Sequence, residues 1–196
     1  RDRSELSTKL ESLRGNCDIA QLGDCCAIIN IPHVPDREIS NTPISENSLR
    51  YVDIRDLRGG IVTKSSRWLL TNSPISIEDA SRLRDGDVLL AKQGDVGRVS
   101  IVRKQAVGAI ASRALCVIRA DASRLRPIFL GAYLASSEAR SWLRDHTVGG
   151  TRGYLTERTL LSLPLPLPPL DLQYDLAMRH YQNGDDVLVG LRSNLN

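Results

Sequence analysis

The sequence has 196 residues, of which 41% are hydrophobic and 25% are charged, and its formal net charge is +3 at pH 7. This length supports one ordinary hydrophobic core and is short for two full domains with a linker, so we expect one globular domain with helical extensions. The sequence lacks the run of about 20 apolar residues that a membrane span requires, and residues 1–14 lack the apolar core of a secretory signal. We therefore expect a soluble, cytoplasmic protein.

The first part of the chain predicts a helix, two strands and a long loop. In residues 4–14, leucines at i, i+4 and i+7 predict an amphipathic helix that ends near a Gly-Asn pair. Residues 27–31 (AIINI) predict a buried strand. Residues 32–49 contain three prolines and form a segment longer than most connections, which favours a loop with a binding role. Residues 50–54 predict a further strand.

The middle of the chain contains the most regular pattern. A glycine pair at 59–60 predicts a tight turn into a strand. Residues 76–80 begin with a serine suited to an N-cap, followed by acids, and predict a short helix. Residues 87–92 and 98–102 predict the two strands of a hairpin that a glycine-containing turn joins. Residues 109–119 predict a strand pair or one bent strand.

The last third returns to helical periodicity. Apolar residues between 128 and 145 form helical stripes, and residues 148–154 form a glycine-rich loop. Residues 155–161 predict a short helix, and the prolines of 163–170 predict an extended edge segment. Residues 171–193 predict a helix that two glycines weaken. The whole pattern predicts an α+β domain with a twisted, mostly antiparallel sheet, packed short helices and partial helices at both termini.

Basic residues are concentrated in residues 92–126, which contain eight basic residues and only two acidic ones, Asp95 and Asp121. The eight are Lys92, Arg98, Arg103, Lys104, Arg113, Arg119, Arg124 and Arg126. Such an excess is typical of a surface that binds a polyanion. A solvated basic face without a ligand explains the same excess equally well.

The four cysteines, Cys17, Cys25, Cys26 and Cys116, lack the C-x-x-C spacing that structural zinc sites favour. We expect free and mostly buried thiols in a reducing compartment. A metal site that combines Cys17, one of the adjacent pair and His33 is the less favoured alternative. No cofactor is expected.

Six segments, in this order and at this spacing, resemble one target recognition domain of a type I restriction-modification specificity subunit. They are QLGD (21–24), LRDGDVLLAKQG (83–94), AIASR (109–113), FLGAYLAS (129–136), GGT (149–151) and LPLPLPPLDLQ (163–173). The last is the most specific, because it joins a proline-punctuated strand to a glutamine at the start of a helix. The resemblance covers residues 19–180.

The resemblance implies a domain that reads one half of a split site in double-stranded DNA. It also implies that helices on either side dock a DNA methyltransferase (modification) subunit, with a restriction subunit as a further partner, and that no membrane is involved. The implied organisation is an N-terminal helix in 1–16, the recognition domain in 17–170 and the start of a C-terminal helix in 171–196. The chain would then be half of a specificity subunit, a single-domain version that pairs with itself, or a domain of a larger protein.

Donors and acceptors that enter the major groove read bases, and mobile cations or backbone amides contact phosphates. Lys92, Gln93 and Arg98 flank the predicted hairpin turn and are the first candidates, with a solvated turn as a slightly less favoured alternative. Arg113 interrupts an apolar segment, where an unpaired charge would be costly to bury. We therefore expect it to face DNA, with an internal salt bridge as the alternative.

Two loops supply further candidates. Thr151, Arg152 and Tyr154 lie in the glycine-rich loop, whose backbone is able to approach a phosphate closely. Tyr154 would stack or donate a hydrogen bond, or else anchor the core. Arg37, together with Asn41 and Asn47, lies in the long loop of residues 32–49.

Catalytic signatures are absent from the sequence. The three histidines, His33, His146 and His180, are far apart and lie outside known catalytic motifs. Lys64 and Ser65 are adjacent on a strand and would point apart, which argues against a peptidase dyad. We expect a component without catalytic activity. A protein-protein adaptor and a small Ser/Lys peptidase-like domain are the alternatives.

Overall fold

The structure, a computed structural model, describes residues 17–43, 45–46, 48–58, 60–62, 65, 67–70, 77–150 and 153–182. The strands are β1 (Asp18–Gln21), β2 (Cys26–Ile29), β3 (Ile39–Ser40), β4 (Tyr51–Val52), β5 (Leu57–Arg58), β6 (Ile61–Val62), β7 (Trp68–Leu69), β8 (Val88–Ala91), β9 (Val99–Ile101), β10 (Ile110–Ala111), β11 (Leu115–Ala120) and β12 (Pro164–Leu167). The helices are α1 (Pro127–Leu134), α2 (Ser137–Asp145), α3 (Glu157–Leu161) and α4 (Leu170–Gln182).

A six-stranded sheet in the order β2-β11-β8-β9-β6-β5 forms the centre of the domain. Its neighbours are antiparallel except for β6 and β9, which run parallel. Three two-stranded pairs surround it: β1 with β12 and β3 with β7, both antiparallel, and β4 with β10, which is parallel. The predicted α+β class with a mostly antiparallel sheet is confirmed.

Strand β8 is buried on both faces, and its apolar residues run without interruption. On β8, Val88 and Leu90 belong to the core cluster that includes α1 and α4, whereas Leu89 and Ala91 belong to a second cluster on the opposite face. All four side chains are 0% exposed. Successive strand residues point to opposite faces, so a continuous apolar run is what a sheet covered on both sides requires.

Helix α1 packs against the sheet through a glycine. An ideal Cβ at Gly131 would lie 2.9 Å from Cδ1 of Ile101 on β9 and 2.9 Å from the hydroxyl of Tyr181 on α4. This spacing is below a normal van der Waals contact, so a side chain at this position would force the ends of Ile101 and Tyr181 to shift. The helix begins with Pro127 at its first turn, where the missing N–H costs nothing.

Several element predictions are confirmed. Strands β8 and β9 form the predicted hairpin, and Arg58 pairs with Ile61 across the predicted 59–60 turn. The helical stripes of 128–145 form two helices, α1 and α2, and the proline segment forms β12. The helix predicted for 4–14 and the part of the last helix beyond Gln182 lie outside the described residues.

Other element predictions need correction. The strand expected at 27–31 is β2, which begins one residue earlier and is only half-buried because it lies at the edge of the sheet. The segment 109–119 forms two strands in different sheets, β10 and β11. The 32–49 loop contains a 3-10 turn at Asp36–Glu38 and the short strand β3. At the predicted helix of 76–80, the described residues form only a 3-10 turn, Asp79–Ser81.

The cysteines are free thiols, with Cys25 and Cys116 buried and Cys17 and Cys26 half-buried. Among the described residues, no group of three or more His, Cys, Asp or Glu side chains is placed to hold a metal ion. No helix in the described ranges is both long and apolar enough to span a bilayer.

Candidate nucleic-acid interface

The β8–β9 hairpin ends in a turn that projects from the sheet. Gly94 and Gly97 have φ values of 72° and 88°, a left-handed conformation that glycine adopts without steric cost. Gln93, Gly94 and Asp95 are exposed at the tip. Arg98 is exposed as well, and its guanidinium pairs with the carboxylate of Asp95 three residues earlier. The tip therefore presents Gln93, while the charge of Arg98 is partly neutralised within the turn.

The glycine-rich loop is held beside this turn by backbone hydrogen bonds. Val148 and Tyr154 exchange two N–H···O bonds of 2.9 Å, which close the loop. The backbone N–H of Leu155 donates to the carbonyl of Lys92 at 2.8 Å, and Tyr154 forms an antiparallel bridge with Gln93. Two segments 61 residues apart in sequence, around 93 and 154, thus form one continuous surface.

Lys92 has a positioning contact at this junction. Its Nζ donates to Oε1 of Glu157, the first residue of α3, at 2.6 Å, and its side chain is 19% exposed. Its backbone N–H donates to the carbonyl of Ala114 at 2.9 Å. The ion pair ties the end of β8 to α3, so Lys92 holds the turn in place and presents little free charge to solvent.

A polar cavity of about 440 Å³ opens beside the turn. Lys92, Gln93 and Arg113 line one side, and segments from the first third of the chain, including His33 and Asp36, line the other. The walls therefore carry both hydrogen-bond donors and acceptors. Walls of this kind are suited to a ligand that presents both hydrogen-bond donors and hydrogen-bond acceptors.

The floor of the cavity is a hydrogen-bonded cluster. The Asp53 carboxylate pairs with the guanidinium of Arg67 and accepts a 3.0 Å hydrogen bond from Oγ of Ser112. The Arg67 guanidinium carbon lies 5.1 Å from the ring centre of Tyr51, and burial raises the pKa of the Tyr51 hydroxyl. Ser65 donates its hydroxyl to the Tyr51 carbonyl. The cluster fixes the floor while leaving the rim open.

Arg113 lies at the rim, and its position corrects the sequence interpretation. The residue is in the turn between β10 and β11, outside both strands, and it is exposed. It lines the cavity, and within the described ranges its side chain forms no ion pair or hydrogen bond. An exposed guanidinium at the rim of a polar cavity is free to contact an anionic ligand.

The remaining sequence candidates fall into two groups. Arg37 belongs to the 3-10 turn Asp36–Glu38 next to the cavity, its side chain is 82% exposed, and Nε lies 3.6 Å from the Glu38 carboxylate. Asn41 is exposed in a bend after β3. Thr151, Arg152 and Asn47 lie outside the described residues, as does Lys64 of the proposed dyad.

The basic stretch of residues 92–126 does not form one free cationic face. Arg119 forms a two-pronged ion pair with Asp87 through Nε and Nη2, at 2.8 Å each, and Asp87 is 1% exposed. The others with protein partners are Lys92 with Glu157, Arg98 with Asp95, Arg103 with Asp85, Arg124 with the Asp24 carbonyl and Arg126 with the Leu170 carbonyl. Most of the charge excess therefore stabilises the fold.

Sequence reasoning missed the floor of the cavity. Asp53, Arg67 and Ser112 are not among the candidates that the sequence suggests. Arg67 and Ser112 lie 14 and 59 residues from Asp53 in sequence, and no local pattern connects them. The only available signal was the AIASR segment, which places Ser112 beside Arg113.

Solved specificity subunits share this fold. A structure described as the basis of complex assembly and conformational transition of the type I R-M system superposes with a TM-score of 0.68 and 22% identity, covering 98% of this chain and 46% of that one. The crystal structure of the HsdS subunit from Thermoanaerobacter tengcongensis superposes with a TM-score of 0.63 and 21% identity, covering 99% of this chain and 48% of that one. At sequence identities this low, the similarity to these structures shows a shared fold alone.

The family follows from the sequence match. The model described as "Type I restriction modification DNA specificity domain" matches residues 22–177, and the chain belongs to this family. The specificity subunit of the type I restriction enzyme EcoBI from Escherichia coli is 28% identical over 99 residues, which are 50% of this chain and 21% of that protein. The chain spans less than half the length of these relatives.

Proposed function

We propose that the chain is a sequence-specific DNA-binding domain that directs a type I methyltransferase and restriction complex to its site. The convergence of Gln93, Arg113 and Tyr154, predicted from three separate segments, around one exposed turn and cavity carries this proposal. Membership of the specificity-domain family supports it.

The chemistry of this surface suits duplex DNA. The free guanidinium of Arg113 is suited to a phosphate or to guanine, and the exposed amide of Gln93 is suited to a base edge. Because ion pairs neutralise Lys92 and Arg98, the surface carries few free cations, which favours specific over purely electrostatic binding.

The catalytic steps of the complex are assigned to partner subunits. We propose that DNA methylation and cleavage belong to the modification and restriction subunits and that this cytoplasmic chain binds without catalysing a reaction. Since it spans less than half the length of its relatives, it reads half of a split site. A second recognition domain or a second copy of the chain supplies the other half.

Equilibrium binding to a fluorescent duplex, measured between about 50 and about 200 mM salt, tests the proposal. We expect the affinity to fall only moderately with salt, because the surface carries few free cations, and Arg113→Ala to weaken binding by about tenfold, within the range for a lost specific contact. Arg179→Ala is the matched control, because Arg179 is exposed on α4 and does not line the cavity. Absence of duplex binding, or equal losses in both variants, would contradict the proposal.

A further inference from the structure

Three exposed side chains form a row across the junction of the turn and the glycine-rich loop. Gln93 pairs with Tyr154, and Tyr154 pairs with Val148, both in antiparallel bridges. Residues opposite each other in such bridges extend their side chains to the same side, with Cβ atoms about 5 Å apart. We call Gln93, Tyr154 and Val148 the bridge row.

The bridge row is unusually apolar for a surface. Tyr154 and Val148 are 44% and 51% exposed, and both belong to the few large hydrophobic residues of the described chain that solvent reaches. Gln93 is exposed beside them, and its side-chain amide forms no hydrogen bond within the described ranges. A polar amide with free donor and acceptor, set beside an exposed aromatic ring, is typical of a contact surface.

The backbone holds the bridge row in place. Three hydrogen bonds of 2.8–2.9 Å fix Val148 to Tyr154 and Leu155 to Lys92. Gly153 allows the loop to pack closely, because a Cβ there would lie 2.6 Å from Cγ2 of Thr147. The amide of Gln93 is therefore presented by a frame that is already ordered before a ligand binds, which lowers the entropic cost of binding.

We propose that the bridge row reads an A·T base pair in the major groove, with Gln93 as the specificity-determining residue. The Gln93 amide oxygen accepts from adenine N6–H and the amide N–H donates to adenine N7, the two-bond pairing that a carboxamide makes with this base. Tyr154, directly opposite Gln93, shields these hydrogen bonds from water, and Val148 extends the apolar surface on the far side of Tyr154. The amide is uncharged, so it binds a phosphate more weakly than the guanidinium of Arg113 does. This assignment rests on the proposed DNA-binding function.

The test uses the DNA site that the 196-residue chain itself selects from a randomised duplex pool. Each adenine of that site is replaced in turn by 7-deazaadenine, which lacks the N7 acceptor. We expect one adenine at which this change weakens wild-type binding by about tenfold. For Gln93→Ala, the same change at this adenine should have no further effect. Gln105→Ala, an exposed glutamine elsewhere, should behave as the wild type does.

A second variant tests the direction of the readout. Gln93→Glu replaces the amide by an acceptor-only carboxylate, and the preferred base at that position should change from adenine towards cytosine, whose N4 group donates. If 7-deazaadenine weakens DNA binding by Gln93→Ala and by wild type equally at every adenine of the selected site, the assignment of Gln93 is overturned. DNA recognition by the chain would remain intact in that case. A pool from which the wild type selects no sequence would overturn DNA recognition as well.

Discussion

The side-chain Oε1 of Gln173 accepts a 2.8 Å hydrogen bond from the backbone N–H of Arg126, 47 residues earlier in the chain. The Nε2 group of Gln173 donates to the carbonyls of Arg124 and Pro168 at 2.9 and 2.8 Å, and the residue is 1% exposed. One buried amide thus joins the start of α4, the proline segment and the loop before α1. This network gives a structural reason for the glutamine that closes the most specific sequence motif.

Replacing Gln173 by leucine should strongly destabilise the fold. The substitution leaves the buried Pro168 carbonyl and two part-buried groups, the Arg126 N–H and the Arg124 carbonyl, without their partner, at a total cost on the order of 3 kcal/mol. Urea unfolding of Gln173→Leu against wild type measures this loss. The same change at exposed Gln105 should cost less than about 0.5 kcal/mol. Equal stabilities for the two variants would contradict the structural role of the amide network.

Gly131→Ala should destabilise the contact of α1 with β9 and α4. The added methyl would lie 2.9 Å from Ile101 and from the Tyr181 hydroxyl, and overpacking of this kind costs about 1–3 kcal/mol. Thermal unfolding measures the effect. Gly150→Ala is the control, because a Cβ there meets nothing within 4 Å. A Gly131→Ala protein as stable as wild type would show that this packing is looser than the structure indicates.

The buried thiol of Cys116 and the half-buried thiol of Cys26 should make the fold sensitive to alkaline pH. Burial is the largest cause that raises the pKa of Cys26 and of Cys116 from 9.0 to about 12. The folded state therefore holds these protons more tightly than the unfolded chain, and stability is complete below pH 9 and declines as pH rises towards 12. Each thiol contributes a slope of at most about 1.4 kcal/mol per pH unit.

Unfolding free energies of wild type and Cys116→Ala, measured in reducing buffer between about pH 8 and about pH 11, test this expectation. The variant should be less stable at pH 8, because it leaves a small cavity, and its stability should fall less steeply above pH 9. Subtracting the two curves removes the contribution of tyrosines and lysines. Parallel curves would contradict a raised pKa of the Cys116 thiol.

Glu157→Gln should increase non-specific DNA binding. The change removes the carboxylate that holds Lys92 Nζ at 2.6 Å, so the ammonium becomes available to a phosphate. We expect a few-fold tighter binding to random duplex and a steeper salt dependence by about one counterion. Glu78→Gln, at an exposed position, makes the same change in net charge. An equal gain in both variants would mean that net charge, and not the released Lys92, is responsible.

Local patterns predicted the parts of the fold that local forces determine. Two apolar segments around a glycine-containing turn predict the β8–β9 hairpin. The prolines of residues 163–170 exclude a helix, and this segment forms β12, which pairs with β1 before α4 begins. The parallel pairing of β4 with β10 was not predictable, because its partners are about 60 residues apart and each has only two residues in the pair.

The sequence suggests residues of the candidate interface only where it coincides with turns. Gln93 and Tyr154 are candidates because each is next to a glycine that indicates an exposed loop, but their bridge is a tertiary contact without a sequence signal. The charge count was a weaker guide, since Arg119 pairs with buried Asp87 inside the fold. Charge in a sequence does not distinguish a cation that faces a ligand from one that holds two strands together.

Sequencing of the duplexes that the chain retains from a randomised pool, at about 150 mM salt, tests the central claim most directly. We predict enrichment of one short motif that includes an A·T pair, and loss of preference at that pair in Gln93→Ala. A retained fraction with the same base composition at every position as the input pool would contradict the assignment of this chain as a DNA-reading domain.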